Sequence, residues 1–135
     1  MRKVAAVLIL AATGVWLGVE PTLGASKAGK QVFKVTLKEM SIAGAPLRIS
    51  SGSVTFQARN VGTVQHELVL FKGVEPLKLK NFKGLEAGRW LGEVAELDPG
   101  KSGKVTLTLK PGKYLLACNV AGHYQLGMHR MLVVS

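Results

Sequence analysis

Residues 104–118 read KVTLTLKPGKYLLAC, and their pattern decides the fold class. Val105, Leu107 and Leu109 alternate with Lys104, Thr106, Thr108 and Lys110. Successive side chains of a strand point to opposite faces, so this period of two puts the apolar residues on a core and the polar ones in water. Pro111-Gly112 then supplies a turn, and Lys113 to Cys118 continues as a more apolar strand.

The same alternation recurs upstream. From Gln31 to Glu39, Phe33, Val35 and Leu37 alternate with Lys34, Thr36 and Lys38; from Ser53 to Arg59, Val54, Phe56 and Ala58 alternate with Thr55, Gln57 and Arg59. Leu47 to Ile49, His66 to Phe71 and Arg130 to Val134 are further strand candidates, punctuated by Ser51-Gly52, Asn60-Val61-Gly62 and Asp98-Pro99-Gly100. About seven or eight short strands with such turns predict an all-β, antiparallel sandwich. Gly73 to Leu97 is the exception. Its period is ambiguous, and Pro76, Gly84, Gly88 and Gly92 argue against a long helix, so a short helix or loop excursion on the sandwich edge is expected.

The 135 residues carry 18 Lys or Arg against 8 Asp or Glu, a net charge of +10, and one Cys. This is one small domain, too apolar for a disordered tail. One Cys excludes an intramolecular disulfide and every multi-cysteine zinc or iron–sulfur site. At the front, Arg2 and Lys3 precede an apolar run from Val4 to Val19, followed by the small residues Gly24, Ala25 and Ser26. Residues 1–25 are therefore expected to be a secretory signal, with cleavage favoured over an uncleaved membrane anchor, and residues 26–135 the folded domain. Removing Arg2, Lys3 and Glu20 lowers the net charge by one, to +9, so the basic excess belongs to the domain. An unpaired thiol in an oxidising compartment invites mispairing, which makes Cys118 the residue to explain.

Several catalytic motifs fail. Gly100-Lys101-Ser102 ends like a phosphate-binding loop, but Ala95 stands where its first glycine is needed and a strand follows instead of a helix. No G-x-S-x-G nucleophile elbow and no paired-carboxylate site is present. No enzyme activity is expected. Nucleic acid is a poor partner, because the lysines are spread over outward strand positions and aromatics are few.

What remains is Cys118, His123 and Met128, spaced C-x4-H-x4-M between two strands, with His66 opening an apolar strand after the Asn60-Val61-Gly62 turn. Singly, each has an ordinary explanation as core, loop or hydrogen-bonded residue. Together they are a soft thiolate, two imidazoles and a weak thioether, the donor set of a mononuclear copper electron-transfer site. His129, whose side chain should diverge from that of Met128, and Met131, in the final apolar strand, are left out.

At this point the chain resembles the cupredoxins, the type 1 blue copper proteins, and among them the small exported plastocyanin-like ones. The resemblance rests on Asn60-Val-Gly-Thr-Val-Gln-His66-Glu-Leu-Val-Leu70, Glu96-Leu-Asp-Pro-Gly-Lys-Ser102, Pro111 to Cys118, Gly122-His123 and Gly127-Met128. It implies a Greek-key sandwich with one copper ion at one end, held by His66, Cys118, His123 and Met128 and cycling between Cu(II) and Cu(I). It departs from plastocyanin at Glu67, where Asn commonly follows the first ligand; a carboxylate near copper there would favour Cu(II). The flanks of Cys118 are Ala117 and Asn119, not the histidines of a multicopper oxidase.

The function expected is electron shuttling by a monomer outside the cytoplasm, in the periplasm or a similar space. Cytochromes or a terminal oxidase with acidic docking surfaces are the expected partners, and the basic surface also allows peripheral contact with an anionic membrane. The alternative is a copper carrier or storage protein built on the same site.

Overall fold

The computed structural model describes residues 29–73 and 89–135, and among these it contains nine strands and no helix. They are β1 (Gln31–Lys38), β2 (Ser41–Ala43), β3 (Arg48–Ile49), β4 (Gly52–Asn60), β5 (His66–Lys72), β6 (Trp90–Leu97), β7 (Ser102–Leu109), β8 (Gly112–Ala117) and β9 (His129–Val134). Two sheets form, ordered β2-β1-β4-β7 and β3-β9-β8-β5-β6. The Greek-key sandwich is thus present, and all seven strand candidates fall within it.

The period of two does what the sequence implied. Val35, Leu37, Val54 and Phe56 point inward from the four-stranded sheet and meet Leu68, Leu70, Leu116 and Leu132 of the five-stranded one. Each side chain of this size contributes roughly 1.5–3 kcal/mol when fully buried. β5 is buried from His66 to Phe71. Its opposite face forms a second cluster, in which Val69 and Phe71 join Leu115, Ala117 and Tyr124. A strand covered on both faces reads as a continuous apolar run, and that is how residues 66–71 read.

Two expectations need correction. The sandwich is not wholly antiparallel: β1 runs parallel to β4, with Gln31 opposite Val54 and Leu37 opposite Asn60, and β3 runs parallel to β9. The chain leaves the first sheet after β2, contributes β3 to the second, and returns as β4 in the direction of β1. Such a crossover leaves no mark in local alternation. The second correction concerns residues 73–97. Residues 74–88, where the helical excursion was expected, lie outside the described residues, but Trp90–Leu97 is a strand paired antiparallel with β5. Its alternation is hidden because the inward position of residue 92 is a glycine. A Cβ there would lie 2.9 Å from the Leu107 side chain, so close contact with the opposite sheet removes the apolar signal.

Candidate metal centre

Two loops at one end of the sandwich converge. The first follows β4 and is pinned by Asn60, which is fully buried. Its side-chain Nδ2 donates to the carbonyls of Val64 (2.7 Å) and Leu97 (2.8 Å), and its Oδ1 accepts from the Gly62 N–H (2.8 Å). The Asn60 N–H and carbonyl are bonded to the chain around Lys101 and Gly100. Each bond contributes about 0.5–1.5 kcal/mol and leaves a buried group unsatisfied if lost, so the turn delivers His66 to the start of β5 in one fixed position.

The second loop joins β8 to β9. The Cys118 N–H donates to the Met128 carbonyl (3.0 Å), the Met128 N–H to the His123 carbonyl (3.0 Å), and the His123 N–H to the Val120 carbonyl (3.0 Å). Gly127 takes φ +93°, a conformation other residues resist, and lets the chain turn back into β9. The C-x4-H-x4-M spacing is thereby folded into a closed main-chain ring that brings the backbones of Cys118, His123 and Met128 together.

His66, Cys118 and His123 are all buried, and their donor atoms lie within 4.8 Å of one another. His66 Nδ1 is 3.2 Å from His123 Nδ1, and Cys118 Sγ is 3.4 Å from His123 Nδ1. The Glu67 main-chain N–H donates to Cys118 Sγ at 3.5 Å. An ion roughly 2.0–2.3 Å from two imidazole nitrogens and a thiolate spaces those atoms about 3.3–3.6 Å apart. The two separations at His123 Nδ1 match within a few tenths of an ångström. Two imidazoles and one thiolate also suit copper, which takes imidazole and soft sulfur together.

The electrostatics of the cluster agree. Burial pushes the Cys118 thiol up from its ordinary value, with the charges of Glu67 and Glu96 acting in the same direction. Burial and the neighbouring His66 hold His123 below the usual imidazole range. The cavity therefore opposes both an isolated thiolate and an imidazolium. A bound cation reverses this balance, because it offsets the thiolate charge and needs unprotonated nitrogen.

Met128 is fully buried, in the core cluster that also contains Cys118. His129 points elsewhere, its ring 4.5 Å from that of Tyr124, and Met131 is half exposed on β9. Sequence reasoning missed the structural work of Asn60, read only as a turn residue, and missed Glu39, read only as the end of an alternating strand. Glu39 lies in the turn between β1 and β2, and its Oε1 accepts from the N–H groups of Thr63 and Val64 and from the Thr63 hydroxyl. It is also 3.5 Å from His66 Nε2. These residues are 27 apart in sequence, and no spacing rule joins them.

A family model for the cupredoxin-like domain matches residues 6–134. Among curated proteins, none matches the sequence. Several solved structures do. Auracyanin B is 27% identical over 78% of this chain and 88% of its own, with a TM-score of 0.68. Auracyanin A, a "blue" copper protein from the green thermophilic photosynthetic bacterium Chloroflexus aurantiacus, is 27% identical over 79% of this chain and 100% of its own, with a TM-score of 0.66. An auracyanin from the photosynthetic bacterium Roseiflexus castenholzii is 24% identical over 80% of this chain and 98% of its own, with a TM-score of 0.67.

Proposed function

Since the chain belongs to the cupredoxin-like domain family, we propose that it is an electron-transfer protein carrying one copper ion held by His66, Cys118, His123 and Met128. The approach of His66 Nδ1 (3.2 Å) and Cys118 Sγ (3.4 Å) to His123 Nδ1 carries this reading. Copper supplies a one-electron couple there, and no substrate bond is made or broken. The residues supply the rest. His66 and His123 offer Nδ1, Cys118 offers Sγ, and the Met128 thioether is the fourth, weaker donor. The Glu67 N–H steadies the sulfur, and the main-chain ring of residues 118–128 keeps the donors in place in both oxidation states. Small reorganisation is what fast outer-sphere transfer requires.

His123 is the exit for the electron. Its loop and the loop before His66 together present Leu126, Val61 and Val64 to solvent, an uncharged apolar rim suited to a small, short-lived interface. Beside it, the outer face of the four-stranded sheet is basic. Lys34, Gln57 and Lys104 lie in register across β1, β4 and β7, and Arg59 sits between Thr36 and Ser102. Such a face steers a partner with an acidic surface, here a cytochrome or a terminal oxidase. Residues 1–25 act as a secretory signal, which places the copper domain, residues 26–135, in the periplasm or another extracytoplasmic space as a monomer.

Copper reconstitution tests the proposal. The protein is expected to turn intensely blue with one copper per chain, to cycle reversibly, and to reduce a cytochrome without losing metal. A colourless protein that binds no copper overturns it. Copper release to a chelating acceptor with sluggish electron exchange would support the carrier function instead.

A further inference from the structure

We propose that the Glu39 carboxylate accepts a hydrogen bond from the outer nitrogen of His66 and, through that ring, biases the site toward Cu(II). The inference rests on the copper reading above and concerns a residue that does not itself face the metal cavity.

His66 Nδ1 stands 3.2 Å from His123 Nδ1 in the cluster that includes Cys118, so a cation held there would take the Nδ1 lone pair and leave the ring proton on Nε2. That nitrogen is buried and, among the described residues, has no formed hydrogen bond. The carboxylate oxygen of Glu39 stands 3.5 Å away, a few tenths of an ångström beyond the 2.7–3.2 Å of a formed N–H···O bond. The turn is built around this oxygen. Thr63 and Val64 donate their N–H groups to it. A Cβ at residue 62 would press on the same oxygen and push the carboxylate out of its place. Glu39 therefore ties the β1–β2 turn to the loop that delivers His66, and it sets a carboxylate oxygen 3.5 Å from the ring's Nε2.

The charge is permanent at neutral pH. A carboxylate that accepts the Thr63 and Val64 N–H groups stays ionised there. A carboxylate on the far nitrogen makes an imidazole a stronger donor and fixes its orientation. Because the oxidised ion carries one more positive charge than the reduced ion, a fixed anion near the ligand favours Cu(II). Glu39 is a positioning residue that acts through His66.

The test compares wild type with Glu39→Gln. The amide keeps the size and an oxygen for Thr63 and Val64 but removes the charge. The expected result is normal folding and blue colour with about a tenfold loss of Cu(II) affinity relative to Cu(I), read as a rise in potential of about 59 mV. Independently of copper loading, ¹⁵N NMR of the wild-type apoprotein is expected to show the His66 proton on Nε2 and protected from solvent exchange. A wild type that takes up no copper overturns the functional proposal and this inference with it. A blue Glu39→Gln protein with unchanged potential, or a His66 ring whose Nε2 proton exchanges freely, overturns this inference alone.

Discussion

The main-chain N–H of Glu67 and the Sγ of Cys118, 51 positions apart, meet at 3.5 Å. The position after the first histidine is thus tied to the sulfur through its backbone, whatever its side chain. A donor to a thiolate withdraws electron density from it and favours the reduced ion. Glu67→Pro removes that donor, and the potential is expected to fall, opposite in sign to Glu39→Gln. Voltammetry of both variants separates backbone from carboxylate control.

Cys118→Ser should abolish the blue colour, since the thiolate is the donor that gives charge-transfer absorption, while the apoprotein stays folded. His66→Ala and His123→Ala should each weaken copper binding severely, and Met128→Ala should leave a blue protein with altered potential. Visible and electron-spin spectra after copper titration check all four. A blue Cys118→Ser protein contradicts the ligand assignment.

The apoprotein is expected to be most stable between about pH 6.5 and 9.0. Folding holds His123 below its usual value of 6.5, so the unfolded chain binds more protons as pH falls through 6.5 and stability drops. Glu39 extends the loss, from 4.5 downward toward about 2, because its folded pKa is depressed. Cys118 acts at the other limb. Its folded thiol is raised, so above 9.0 the unfolded chain releases a proton that the folded one keeps. Denaturant titrations across pH should show Cys118→Ser flattening the alkaline limb and Glu39→Gln the limb below 4.5.

Asn60→Ala removes three side-chain hydrogen bonds and leaves the Val64 and Leu97 carbonyls and the Gly62 N–H without their partner. A loss of roughly 2–4 kcal/mol is expected in urea unfolding, together with weaker copper retention. Unchanged stability would mean that the first ligand loop is held by other contacts.

Reversing Lys34 and Lys104 to Glu should slow association with an acidic cytochrome several-fold at low salt and leave the potential and the blue spectrum unchanged. Stopped-flow rates at rising ionic strength check this, and the difference between variant and wild type should shrink as salt screens it.

The sequence by itself determined the sandwich and its core faces, because the period of two at Phe33–Leu37, Val54–Ala58 and Val105–Leu109 is local and each strand carries it independently. It also singled out Cys118, His123 and Met128, since one closed loop holds all three, and His66, since its turn residues precede it directly. Where a glycine replaced an inward side chain, at residue 92, the signal failed and β6 was missed. Only the tertiary structure decided the parallel pairing of β1 with β4, the 3.2 Å approach of His66 to His123, and the contact of Glu39 with the outer face of His66. These are relations between segments far apart in the chain. They are set by how two sheets close over one core, and local alternation and spacing, which report only a residue's own neighbours, carry no record of them.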